Sequence, residues 1–304
     1  MMIDLRIERI SVIGNAAIET KIFLDAIPTR NCETNIKKMC ISIGGSGAYV
    51  AGALRVLGLE VNIITQLGND SYGKHVLSAL RRTAVDLGYV LLSSSLTSSF
   101  ISIFDKDFNR IFLLRSVKWN EKITLQRLVN ALQHSDLLML CPTTRSITME
   151  AAKLCKTSAK LLAISPEAAF IGQPQKWIDK LFKFADFLFL NESELCHYTN
   201  SPNLKKALER MAIENDQIVV VTRGRKGCMV ISREGIISEK GEAGEVIDPT
   251  GAGSLFLASF IWSLANNHNL REASRIGCLG GYAACTSEKF TEKLVALKKT
   301  LIRL

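Results

Sequence analysis

The stretch Asp248-Pro-Thr-Gly-Ala-Gly-Ser254 runs straight into an apolar segment, 255–265, broken by Ser259 and Ser263. Gly251, Ala252 and Gly253 are small enough to let the backbone turn tightly, and the segment after them predicts a helix. The free N–H groups of a helix start converge on one point, with the positive end of the helix dipole behind them. That makes an anion site. A phosphoryl group in transfer needs fixed donors of this kind where its charge develops. The same spacing also suits an ordinary glycine loop with Asp248 as a turn residue, so the stretch needs support from elsewhere.

Three other segments bear on it. Thr222-Arg-Gly-Arg-Lys-Gly227 follows an apolar run at 218–221, and its two glycines suggest backbone pressed against a ligand, with Arg223, Arg225 and Lys226 adding positive charge. A β-hairpin turn fits the same residues, because 228–231 reads as another strand. Asn191-Glu-Ser-Glu194 stands at the end of an apolar run at 187–190. Ligands of α/β sheets gather at such strand ends. Asn191 and Glu194 suit a hydrated Mg²⁺ near phosphates, and equally a helix cap with Glu194 completing a capping box. Gly44-Gly-Ser-Gly-Ala-Tyr-Val-Ala51 leads into a predicted helix. A dinucleotide-binding loop is excluded there, since Val50 stands where Gly or Ala is needed, and no Walker A pattern occurs.

These segments need a scaffold. Short apolar runs at 10–13, 61–65, 137–140, 161–164, 187–190 and 218–221 read as strands, several so continuously apolar that both faces must be covered. Predicted helices at 47–57, 71–83, 124–134, 145–156 and 203–213 lie between them. The alternation implies βαβ units and a mostly parallel sheet. Two regions break the rhythm: extended segments within 18–43 around a turn near 28–33, and a hairpin within 99–115 turning through 105–109. They predict a small separate sheet, suited to a lid or a dimer contact.

With 304 residues, 47% hydrophobic and 22% charged, the chain can bury the core of a large α/β domain. No apolar run approaches the roughly 20 residues of a membrane span, and the alternating start MMIDLRIERI does not read as a signal peptide. The expectation is a cytoplasmic protein without membrane contact. The eight cysteines include no C-x-x-C pair, which argues against zinc and for reduced thiols. The net charge of +9 favours anionic partners, but it is spread thinly and without aromatic interleaving, so nucleic acid is disfavoured.

Taken together and in this order, the segments resemble the PfkB/ribokinase family from about residue 12 to 286. The 44–73 block looks like the family's N-terminal signature, and 248–254 like its C-terminal signature, D-[TP]-T-G-A-G-D. Asn191 and Glu194 match its N-x-x-E motif, and Thr222, Gly224 and Gly227 its T-x-G-x-x-G nucleotide loop. The resemblance implies a three-layer α/β/α ribokinase-like fold over 1–304, with a small β-sheet lid from about 18–43 and 99–115. It implies ATP along 222–227, Gly251, Ala252 and Gly253 as anion hole, and Asn191 and Glu194 organising Mg²⁺ indirectly. It places Glu19, Gly44, Gly45 and Tyr49 on the side of a sugar or nucleoside acceptor, and suggests a homodimer through the lid strands. Three departures stand out. Ser254 occupies the position of the family's general base, an Asp, while Asp248 lies away from the acceptor hydroxyl. Glu19 replaces a sugar-binding Asp, and Tyr49 stands where Asn is usual. The implied activity is ATP-dependent phosphotransfer to a hydroxyl of a sugar or sugar-like small molecule, impaired by Ser254 at the base position. The alternatives are a nucleoside kinase and an inactive relative that senses a ligand or scaffolds a partner.

Overall fold

The computed structural model describes residues 6–302, apart from 107–108, 142, 168–171, 212 and 214–215. Six strands form its parallel centre: β1 (Arg9–Ile13), β4 (Glu60–Ile64), β9 (Leu137–Leu140), β10 (Leu161–Ile164), β11 (Phe187–Asn191) and β12 (Ile218–Thr222). They are the six apolar runs read from the sequence. The antiparallel strands β13 (Cys228–Ser232) and β14 (Gly235–Glu239) extend one edge, giving the order β14-β13-β12-β11-β10-β9-β1-β4.

Alternate residues of each strand feed opposite cores. In β9, Leu137 and Met139 join one cluster while Leu138 and Leu140 join the other. The first core is closed by α1 (Ser46–Val56), α2 (Ser71–Arg81), α8 (Ala252–Ala265), α9 (Leu270–Cys285) and α10 (Phe290–Leu301). The second is closed by α3 (Glu121–Leu132), α4 (Arg145–Thr157), α5 (Gln175–Phe182), α6 (Glu192–Tyr198) and α7 (Leu204–Arg210). Both sheet faces are covered, which is why the strands carry no polar alternation. The chain has the expected three-layer α/β/α architecture.

Helix ends shift from their predicted places for local reasons. α3 starts three residues early because the Asn120 side chain accepts the Ile123 N–H and caps it. α7 stops at Arg210, where Met211 turns to extended backbone.

The two irregular regions combine into one smaller sheet. β2 (Ala17–Phe23), β3 (Lys38–Gly44), β7 (Ser99–Phe104) and β8 (Arg110–Arg115) are ordered β3-β2-β7-β8, with β2 and β7 parallel. A short parallel pair, β5 (Gln66–Gly68) and β6 (Leu91–Ser93), lies apart. The inner face of the smaller sheet buries Glu19, Lys21, Ser42, Phe100, Ser102 and Phe104. Its other face leaves Ile41, Ile101 and Leu113 exposed in one cross-strand row. Among the described residues no helix is long and apolar enough to cross a membrane.

Candidate active site

Ala252 opens α8, and Gly251 before it holds φ at 81°, a left-handed value that glycine adopts without strain. A side chain there would also meet the Tyr49 ring at 3.0 Å. The Ala252 N–H turns back to the Pro249 carbonyl, and no side chain caps the helix. The first turn, from Gly251 to Ser254, lines an open cavity, where an anion site at the helix start would lie.

Two cavities meet at this helix start. The first, about 420 Å³, is lined by Thr222, Gly224, Gly227, Gly253, Phe256 and Tyr282. The residues 222–227 make the β12–β13 hairpin through a short 3₁₀ turn, Gly224–Lys226. The hairpin-turn reading of this segment holds, and the same turn forms one wall of the cavity. Gly227 has φ at 89°, and a Cβ there would strike the Glu239 carbonyl oxygen at 2.1 Å. Phe256 and Tyr282 offer aromatic surface of the kind on which a nucleobase stacks.

The second cavity, about 230 Å³, lies on the other side of Gly251–Gly253 and is lined by Ser46, Glu167, Asn191, Glu194 and the half-buried Ser254. Asn191 and Glu194 form the reciprocal capping box of α6: the Glu194 N–H donates to Asn191 Oδ1 at 2.8 Å and the Asn191 N–H to Glu194 Oε2 at 2.9 Å. The cap fixes the Glu194 carboxylate at the cavity wall. Burial pushes the Glu194 carboxyl up, the Asn191 hydrogen bonds pull it down, and the charge of Glu167 adds to the rise.

Sequence reasoning passed over Glu167. It follows Ser165-Pro166 after β10, at the end of a parallel strand, which was the available signal. The residue as a whole is exposed, but burial of its carboxyl group pushes that group up, against the Ser46 hydroxyl hydrogen bond. Its backbone is left-handed, with φ at 57°, an uncommon value for a residue with a side chain.

Behind Gly251, the structure brings Glu19, Gly44, Gly45 and Tyr49 together. Gly44 pairs with Ala17 at the end of β3, and a Cβ on it would lie 3.2 Å from that of Glu19; Gly45 precedes α1 as its cap. This side is closed. Tyr49 is 2% exposed, its ring lies 5.2 Å from that of Phe290, and its hydroxyl has no hydrogen-bond partner. Glu19 is 0% exposed, accepts from the Ser102 hydroxyl at 3.0 Å, and leaves Oε2 without a hydrogen bond. Burial pushes the Glu19 carboxyl up, and Lys21 and Ser102 oppose the shift.

Asp248 does not face either cavity. It is fully buried beneath the loop, where Lys21 Nζ donates to its Oδ2 at 2.5 Å and Lys293 Nζ lies 3.2 Å from the same oxygen. Its Oδ1 accepts the Thr250 N–H at 2.9 Å. Burial alone would push this carboxyl up, but the two ammonium groups and the Thr250 N–H hold it below the usual carboxylate range. Neither lysine was singled out in the sequence, though both left a trace. Glu19 and Lys21 are two apart on one strand face, and Lys293 falls on the apolar stripe of α10 with Phe290, Leu294 and Leu297.

Comparison with known proteins bears on the family and the fold. The model of the pfkB family carbohydrate kinases matches residues 7–295. Ribokinase from Dictyostelium discoideum is 26% identical over 299 residues, covering 89% of this chain and 93% of its own length. A nucleoside kinase of Methanothermobacter thermautotrophicus is 23% identical over 266 residues, or 86% of this chain and 84% of its own. Ribokinase from Cryptococcus neoformans var. grubii serotype A, solved with ADP, superposes at a TM-score of 0.83 and 19% identity over 97% of this chain and 99% of that one. Burkholderia thailandensis nucleoside kinase, solved with inosine, superposes at 0.78 and 15% identity over 96% and 98%. At such identities the structural likeness speaks for the fold, while the family match spans almost the whole sequence. The chain belongs to the pfkB family of carbohydrate kinases.

Proposed function

We propose that the protein transfers the γ-phosphoryl group of ATP to a hydroxyl of a sugar or nucleoside. One observation carries the reading: the uncapped start of α8 is the shared wall of two cavities, one of about 420 Å³ bordered by Phe256 and Tyr282 and one lined with carboxylates. A γ-phosphoryl group held at Gly251–Gly253 would point from the first cavity towards the second, which is the in-line arrangement transfer needs. Thr222, Gly224 and Gly227 would hold the nucleotide.

The donor set fits a hydrated Mg²⁺. Among the described residues no three His, Cys, Asp or Glu side chains group into a metal site of their own. Mg²⁺ commonly keeps several waters and binds through one or two carboxylates plus phosphate oxygens. Glu194, fixed by Asn191, would take that part. The ion, when bound, neutralises phosphate charge.

Ser254 in place of the family's Asp leaves the acceptor proton without its usual destination. Two carboxylates share the cavity, and with Glu194 given to the ion Glu167 is the one left to take the proton, so any residual turnover would use it. Glu167→Gln is expected to remove residual turnover in the wild-type background while leaving Ser254→Asp within a few-fold of its own rate. Steady-state ADP release on the four variants reads this. Equal losses in both backgrounds would make Glu167 a binding residue instead.

A second reading, a nucleotide-binding relative without turnover, is favoured by the closed acceptor side, where Tyr49 and Glu19 are buried among their own neighbours. ADP release over a panel of sugars and nucleosides separates the two. Robust turnover of any acceptor rules out the second, and absence of nucleotide binding at millimolar ATP and Mg²⁺ rules out both.

The exposed row Ile41, Ile101 and Leu113 on the smaller sheet supports a homodimer through that sheet. Light scattering is expected to give the mass of a dimer for the wild type and of a monomer for Ile41→Lys/Leu113→Lys. A monomeric wild type would end the proposal.

A further inference from the structure

Lys21 and Lys293 are both 0% exposed and are among the largest fully buried side chains of the protein. Lysine is almost never buried in this way without close partners. The partners here have a pattern. Lys293 Nζ donates to the Asp248 carbonyl at 2.8 Å and to the Ala284 carbonyl at 2.6 Å, and it lies 3.2 Å from Asp248 Oδ2. Three oxygens thus surround an ammonium with three protons, so its donor capacity is filled. Lys21 Nζ completes the cluster through Asp248 Oδ2 and the Glu288 carbonyl at 2.8 Å, with Glu19 Oε2 at 3.5 Å.

The Lys293 partners lie on two different walls. Asp248 begins the loop that presents Gly251–Gly253, and its Oδ1 sets the turn through the Thr250 N–H. Ala284 belongs to the last turn of α9, whose Cys278, Gly281, Tyr282 and Cys285 line the nucleotide-sized cavity. The Cys285 carbonyl in that same turn accepts the Ile247 N–H at 2.8 Å and the Asp248 N–H at 3.2 Å. One ammonium therefore ties the anion-binding loop to the facing helix end.

We propose that Lys293 is a positioning residue: a built-in cation that holds the 248–254 loop and the end of α9 in register, so that the start of α8 stays open to a phosphate. Lys21 supports it from the smaller sheet. The role is separable from general core packing, because a charge-free side chain of similar volume would keep the packing and lose the clamp. Lys293→Met is that variant.

Hydrogen exchange tests the clamp without any ligand. In Lys293→Met, amides of the peptide spanning 248–256 are expected to exchange at least tenfold faster than in the wild type, with β1 and β9 unchanged. ADP affinity supplies a second arm that rests on the nucleotide reading, with an expected loss of tenfold or more. In Lys293→Ala, millimolar n-propylammonium is expected to restore both the slow exchange at 248–256 and the ADP affinity, and to leave the wild type unaffected. Unchanged exchange at 248–256 in Lys293→Met, or acceleration spread evenly over the chain, would overturn the proposal. If Lys293→Met does not fold, propylammonium rescue of Lys293→Ala decides: recovery confined to the loop supports the clamp, and recovery of overall stability alone refutes it. A wild type that binds no ADP would sink the phosphotransfer reading and leave the exchange arm standing.

Discussion

Ser254→Asp is expected to raise acceptor-dependent ADP release by about 10²–10⁴-fold, the usual worth of a positioned general base. Ser254 lies in the first turn of α8 and lines the carboxylate-bearing cavity, so the change puts a base there without moving the backbone. A serine hydroxyl is too weakly basic to take the acceptor's proton near neutral pH. An aspartate at this place would also be favoured in its ionised form by the helix start, by about 0.3–1 kcal/mol. A coupled assay of wild type and variant over the same sugars and nucleosides reads the change, and the responding acceptor names the substrate class. A variant as silent as the wild type, with ADP still bound, would shift the balance to the non-catalytic reading. The closed ring of Tyr49 over Gly251 would then be the next residue to reduce, since it occupies the acceptor side.

Asp248→Ala is expected to cost about 3–5 kcal/mol of stability, the loss typical when one partner of a buried ion pair is removed and its charge is left uncompensated. Here two ammonium groups would lose the carboxylate they share, and neither can reach water from a fully buried position. Lys293 makes the case sharper. Burial pulls its ammonium down to about 8 even with Asp248 beside it, and removal of that carboxylate withdraws the main support for its charge. Asp248→Asn keeps the volume and an acceptor for the Thr250 N–H, so it is expected to lose less. Urea denaturation with the midpoint and slope fitted separately measures both. A loss below about 1 kcal/mol for Asp248→Ala would mean that the cluster behaves like a solvated surface pair.

The strand–helix rhythm was legible because both sheet faces are covered. A strand buried on two sides must be apolar at every position, so Leu137–Leu140 and Leu161–Ile164 announce themselves without periodicity. The motif residues were legible for a related reason. Gly251 and Gly227 answer to local backbone geometry, and Asn191 with Glu194 to a helix cap three residues long, so neighbours in sequence suffice. The role of Asp248 was not legible. As a turn residue it reads as local, yet its partners come from β2 and α10, 227 and 45 residues away. Glu167 was missed because a single carboxylate after a strand has no spacing partner, and it acquires one only when Ser46 and Glu194 are folded onto the same cavity.

By itself, then, the sequence determined the layered α/β body and the positions of the Gly251–Gly253 turn and the 222–227 hairpin loop. Each follows from short-range rules of burial, turn geometry and capping that act between near neighbours. Tertiary structure alone decided that Tyr49 and Glu19 are buried behind Gly251, that two lysines are buried against Asp248, and that two cavities meet at one helix start. Those outcomes depend on which distant charges and rings come to share one dry space. The energy of a buried charge is set by its surroundings in three dimensions.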